Sequence, residues 1–249
     1  VTVSVVQPVS IASQPESATV VLAGSTLFQV AATGTEPITY QWSQDGVAVA
    51  DATGSTLTLT TVEASAAGEY KVTVSNAAGS VDSDVVTLTV ESPPVITQLT
   101  ESLSAVEGDT VEMSVIAVGT APLVYQWSKG GVALDGATGA TLSLANVAPS
   151  DADDYKVAVS NGAGRVESES ITVTVAQPAS IVSQPEGGNA VLGETFMMSV
   201  VAAGTEPISY QWQFGGQALD GATGSSLSLA NVEAVNSGDY EVIVSNHAG

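Results

Sequence analysis

The sequence contains no cysteine, four basic side chains, one histidine and no long apolar run. Each absence excludes a class of function. Without cysteine there is no disulfide, no thiolate metal site and no thiol nucleophile. Lys and Arg together number 4 against 26 Asp and Glu, for a formal net charge of −22. Such a surface repels phosphate backbones and anionic lipid, because nucleic-acid binding needs basic groups that release counterions. No nucleic-acid partner is expected. A membrane-spanning helix needs about 18 or more consecutive apolar residues, so no membrane insertion is expected either. The one histidine, His247, has no Gly-x-Ser-x-Gly or His-Glu-x-x-His context, and no phosphate-cradling Gly-Lys-Ser/Thr sequence occurs. No catalytic residue, and so no enzyme, is expected.

What is present is repetition. Trp42, Trp127 and Trp212 are 85 residues apart (127 − 42, 212 − 127), and Tyr70, Tyr155 and Tyr240 keep the same interval. The sequence before each Trp reads GTEPITYQW, GTAPLVYQW and GTEPISYQW; around each Tyr it reads YKVTVSNAAG, YKVAVSNGAG and YEVIVSNHAG. Within a repeat the apolar period is two. Leu57 and Leu59 alternate with Thr, and Tyr70, Val72 and Val74 alternate with Lys71 and Thr73. Short runs of this kind, broken by Gly, Pro, Asn and Asp, predict an all-β sandwich in each repeat. Asp45-Gly46, Gly130-Gly131 and Gly215-Gly216 stand where a tight turn should follow the Trp strand.

On these residues the chain resembles the immunoglobulin superfamily, nearest the intermediate-type domains of long bacterial surface proteins. The resemblance covers essentially the whole chain and implies three tandem Greek-key sandwiches. It also implies a buried Trp on strand C (Trp42, Trp127, Trp212) and a corner Tyr on strand F (Tyr70, Tyr155, Tyr240). The family's two half-cystines would fall at Val30 and Val72, Val115 and Val157, and Val200 and Val242, so six Val stand in for three disulfides. A lost disulfide commonly costs about 2–5 kcal/mol. Burying a Val side chain returns about 1.5–3 kcal/mol. Where the family often has Asp four residues before the corner Tyr, this chain has Ala66, Asp151 and Asn236.

The repeats divide as residues 8–92, 93–177 and 178–249, with joints at Gln7-Pro8, Ser92-Pro93-Pro94 and Gln177-Pro178. The frame of the chain is shifted against them. VTVSVVQP at residues 1–8 aligns with VTLTVESP from Val86 and ITVTVAQP from Ile171, which are the final (G) strands of repeats one and two. Residues 1–7 are therefore expected to be an orphan G-type strand, while repeat three lacks its own G strand. Three explanations stand open: a window onto a longer array, donation of Val1, Val3 and Val5 to Tyr240, Val242 and Val244 of another copy, or a monomer with a frayed end. Strand donation gains affinity from main-chain hydrogen bonds, and a head-to-tail contact propagates.

No cofactor is expected. Calcium, which takes oxygen ligands, is considered only at Asp151, Asp153 and Asp154, beside the plainer reading of a solvated turn. The expected role is a structural repeat of an extracellular or cell-surface fibre, stalk or filament. Its partners would be copies of itself or neighbouring repeats, head to tail. The alternatives are an adhesin or ligand-binding module, or spacer domains of a large secreted protein.

Overall fold

The computed structural model describes residues 2–249. Among the described residues all regular structure is strand except three single-turn 3-10 segments, Ala64–Ala66, Pro149–Asp151 and Ala234–Asn236. The strands build three tandem sandwiches. The described residues form two compact units: one holds the first sandwich with Ile116–Gln126 and Ala158–Glu167, the other Leu99–Val115, Trp127–Val157 and Ser168–Gly249.

In the first sandwich, Ser10–Ser13 pairs with Ala31–Thr33 and Thr26–Gln29 pairs with Thr56–Leu59, both antiparallel. The larger sheet runs in the order Ala18–Val21, Val86–Glu91, Gly68–Asn76, Thr39–Gln44, Val47–Ala48, with Gly79–Asp82 also on Gly68–Asn76. Alternation of apolar and polar side chains turns one face of each strand inward. Phe28, Val30, Trp42, Tyr70, Val72, Val74, Val86 and Leu88 are buried in one cluster. The Phe28 ring lies 6.1 Å from Trp42 and 5.1 Å from Tyr70 between centroids.

Three local devices recur. Each buried indole N–H finds a carbonyl: Trp42 donates to Gly54 O (3.0 Å), Trp127 to Gly139 O (2.9 Å) and Trp212 to Gly224 O (2.9 Å). Each corner hydroxyl donates to the carbonyl four residues back: Tyr70 to Ala66 (2.7 Å), Tyr155 to Asp151 (2.8 Å) and Tyr240 to Asn236 (3.0 Å). That bond uses main chain, so the corner closes whether the residue is Ala, Asp or Asn. The turn after each Trp strand has two successive positive φ values, 49° and 81° at Asp45-Gly46, 54° and 81° at Gly130-Gly131, and 53° and 78° at Gly215-Gly216. Two left-handed residues in succession make the tight turn whose twist suits a hairpin.

Each joint is clasped by an asparagine. Asn76 Nδ2 donates to Gln7 O (2.8 Å) and Thr35 O (3.0 Å), while the Gln7 N–H donates to Thr35 Oγ1 (2.8 Å). Asn161 does the same to Ser92 O and Thr120 O, and Asn246 to Gln177 O and Thr205 O, each at 2.8 Å. The residue just before each joint proline is thus bonded to the sandwich that follows. The residue before that belongs to the preceding one: Glu91 O accepts from Leu22 N, and Ala176 O from Glu107 N, both at 2.8 Å.

Candidate interaction site at the open edge of the third sandwich

The closing strand of a complete sandwich makes two pairings. Val86–Glu91 is antiparallel to the corner strand, with Val86 opposite Tyr70 and Leu88 opposite Gly68. It is also parallel to Ala18–Val21, with Leu88 opposite Ala18 and Glu91 opposite Val21. In the second sandwich Ile171–Ala176 repeats both registers, against Tyr155 and against Leu103–Val106. This strand buries Val86 and Leu88, and Ile171 and Val173. Each such side chain contributes about 1.5–3 kcal/mol.

In the third sandwich, among the described residues, no strand occupies that place. The sheet is Gln217–Ala218, Ser209–Phe214 and Tyr240–Ser245, and the last strand is paired on one side only. Two consequences follow locally. The corner strand is shorter, 6 residues against 9 for Gly68–Asn76. Residues 188–191, equivalent to Ala18–Val21 and Leu103–Val106, form no strand at all. That segment pairs only with the closing strand in the other two sandwiches, so without it nothing satisfies its ladder.

What remains is a cleft of about 480 Å³. Phe196, Met198, Leu229, Val232 and Tyr240 line it, and Glu186, Glu233 and Asp239 are among its acidic residues. Two glycines fit it closely. A Cβ on Gly238 would meet the Phe214 ring at 2.6 Å, and one on Gly188 would meet the Phe196 ring at 3.2 Å. Phe214 also packs on Tyr240, with ring centroids 4.7 Å apart.

The signature residues divide by sandwich. Val30, Trp42, Tyr70, Val72, Val115, Trp127, Tyr155, Val157, Val200 and Trp212 are buried. Val242, like Tyr240 and Val244, is only half-buried, because the edge beside it is open. Of the supposed donor residues, Val1 lies outside the described residues, and Val3 and Val5 are 84% and 85% exposed. Residues 2–7 do not form a strand.

The three carboxylates considered for calcium do not converge. Asp151 Oδ2 accepts from Ala148 N and its other oxygen lies 3.6 Å from Lys129 Nζ. Asp153 accepts from Asp154 N, and Asp154 accepts from the Thr172 hydroxyl. Among the described residues no group of three such side chains could hold a metal ion. These carboxylates each serve a turn or strand bond. Burial first, then Asp151 and Asp153, pushes the Tyr155 phenol up to about 12; Tyr70 is raised by burial and then by Asp45. Hydrogen bonds from Lys71 (2.6 Å) and Thr73 (2.6 Å) hold Asp82 below the usual carboxylate range.

Paired sheets, a buried Trp and a tied corner Tyr define the class: tandem immunoglobulin-like sandwiches. The family profile of the immunoglobulin domain matches residues 8–76 and 93–161, more than half of the sequence, and the chain belongs to that family. It is 31% identical over 204 residues, 73% of its length, to the muscle M-line assembly protein unc-89 of Caenorhabditis elegans. Over 142 residues, 55% of its length, it is 37% identical to the basement membrane-specific heparan sulfate proteoglycan core protein of Mus musculus. The chain spans only 2% and 4% of those two proteins. It is also 33% identical over 177 residues, 67% of its length, to endoglucanase C of Cellulomonas fimi, of which it spans 16%. The I-band fragment of titin superposes with a TM-score of 0.84 at 23% identity, covering 97% of this chain and 95% of the fragment, which shows the fold. The relatives are mostly animal matrix, adhesion and muscle proteins, so the expected kinship with bacterial surface proteins finds no support.

Proposed function

We propose that the chain is a structural spacer of an extracellular or cell-surface array, holding its neighbours at fixed separations rather than transforming a substrate. The observation that carries this reading is the clasped joint. Consecutive residues Glu91 and Ser92, and Ala176 and Gln177, are hydrogen-bonded to successive sandwiches, leaving no loose linker between them. A spacer needs stiffness at its joints, and Pro at each one fixes φ as well. Electron microscopy of the native material tests it: uniform filaments or stalks support a spacer, and discrete particles with a distinct binding tip favour an adhesin instead.

The finer reading is assembly head to tail, with the N-terminal strand of one copy given to the third sandwich of the next. Its support is the match of VTVSVVQ to the two closing strands, together with the open edge at Tyr240–Ser245. Removing residues 1–7 should abolish polymers seen by light scattering; polymers of unchanged size would reject strand donation.

A further inference from the structure

The clasp at the Ser92-Pro93 joint is made by an asparagine whose next residue can undo it. Asn161 is followed by Gly162, the one Asn-Gly pair in the sequence, whereas the other clasping asparagines precede Ala77 and His247. Resting on the reading of the clasp as what stiffens a joint, we propose that Asn161 is a self-modifying site. When this joint opens, the Asn161 side chain cyclises onto the Gly162 nitrogen with loss of ammonia, and the acid that results cannot close the clasp again.

The chemistry needs only water. The Gly162 nitrogen bonds to Asn161 Cγ as its proton leaves, and the Cγ–Nδ2 bond breaks to release that nitrogen as ammonia. Water then opens the cyclic imide at either carbonyl, giving aspartate or isoaspartate at position 161, with nothing oxidised or reduced. Asparagine is a thermolabile residue. Glycine obstructs the ring closure least, because it has no Cβ. Gly162 is exposed, so water reaches it.

The clasp holds this reaction back and is also what the reaction destroys. In the closed joint Asn161 Nδ2 donates to Ser92 O and Thr120 O, each at 2.8 Å. Its Oδ1 accepts from Ala163 N at 3.0 Å and from Gly164 N at 3.1 Å. The amide is fixed at both ends, so Cγ approaches the next nitrogen only as the carbonyls are released. An aspartate keeps an oxygen for Ala163 and Gly164, and the turn survives. It has no hydrogen to give Ser92 O or Thr120 O, and its second oxygen would face both carbonyls unpaired. The Glu91 carboxylate adds to this, since a Cβ on Gly162 would meet its Oε2 at 2.9 Å. A second negative charge beside Glu91 favours the open joint.

The experiment is peptide mass mapping of the full chain held at mildly alkaline pH, with amide hydrogen exchange as a second readout. Conversion at position 161 should accumulate with time in the unaltered chain. Thr120→Val removes the hydroxyl that accepts from Ser92 N at 2.7 Å, so the joint opens more often. Conversion should then run at least about threefold faster. Thr120→Ser, which restores the hydroxyl, should return the original rate. Gly162→Ala, the residue type at the matching Ala77, should stop conversion in every background. In the converted chain and in Asn161→Asp, the Ser92 and Thr120 amides should exchange at least about tenfold faster, with both flanking sandwiches melting as before. Equal rates in the unaltered and Thr120→Val chains, or conversion that persists in Gly162→Ala, would overturn the proposal. Ser92 and Thr120 amides that stay protected in Asn161→Asp would instead show that the clasp does not hold the joint, and the spacer reading itself would fall.

Discussion

The first and third sandwiches have nearly the same sequence pattern, but among the described residues the third has no counterpart of the strands Ala18–Val21, Gly79–Asp82 and Val86–Glu91. In the first, Tyr70 and Leu88 are each 1% exposed and twelve residues form the buried cluster. In the third, the cluster is Met198, Val200, Trp212 and Leu227, with Tyr240, Val242 and Val244 packed against it but half-open. The lesson is that the closing strand acts twice. It covers the core, and it is the sole partner of the segment parallel to it.

The sharpest way to break the comparison uses equivalent positions. Leu88→Ala should destabilise the first sandwich by about 2–5 kcal/mol, measured by urea unfolding, as for a buried leucine. Val3→Ala, at the exposed equivalent, should change the melting of the monomer by less than about 0.5 kcal/mol. Next in size, Gly238→Val should cost the third sandwich about 1–3 kcal/mol, because the new side chain runs into the Phe214 ring. Adding Phe214→Gln, the residue type at the matching Gln44, should relieve much of that loss. A smaller effect attends the corners: Tyr70→Phe should cost about 0.5–1.5 kcal/mol by removing one hydrogen bond, and Tyr240→Phe less, since water reaches that edge.

A pH dependence attends the second sandwich. Tyr155 is raised to about 12 from an ordinary value of 10.0, so the folded state favours the neutral phenol. The associated stability is present below pH 10 and is lost as pH rises toward 12. Alkaline unfolding followed by tyrosinate absorbance should show the second sandwich losing stability across that window. Tyr155→Phe should flatten the loss.

Much of this was legible in the residues themselves. The 85-residue interval of Trp and Tyr, the paired turn residues at 45–46, 130–131 and 215–216, and the alternation around Val72 lead directly to strands and corners, because each is a local consequence of side-chain type. The clasp at Asn76, Asn161 and Asn246 was not legible. An Asn in a turn looks the same whether its amide bonds its own loop or a carbonyl 69 residues away. The failure of residues 188–191 to form a strand was hidden too. Their pattern differs modestly from Ala18–Val21, and the decision depends on a partner elsewhere in the sheet.

The clasped joints carry a consequence for cleavage. A protease must draw several extended residues of substrate into its site, and here the residues on either side of each joint are already committed to hydrogen bonds. Limited digestion should therefore leave the joints at Ser92-Pro93 and Gln177-Pro178 intact and start at 187–193, where the backbone has no ladder to leave. The first stable product would end near the cleft, with two complete sandwiches still joined.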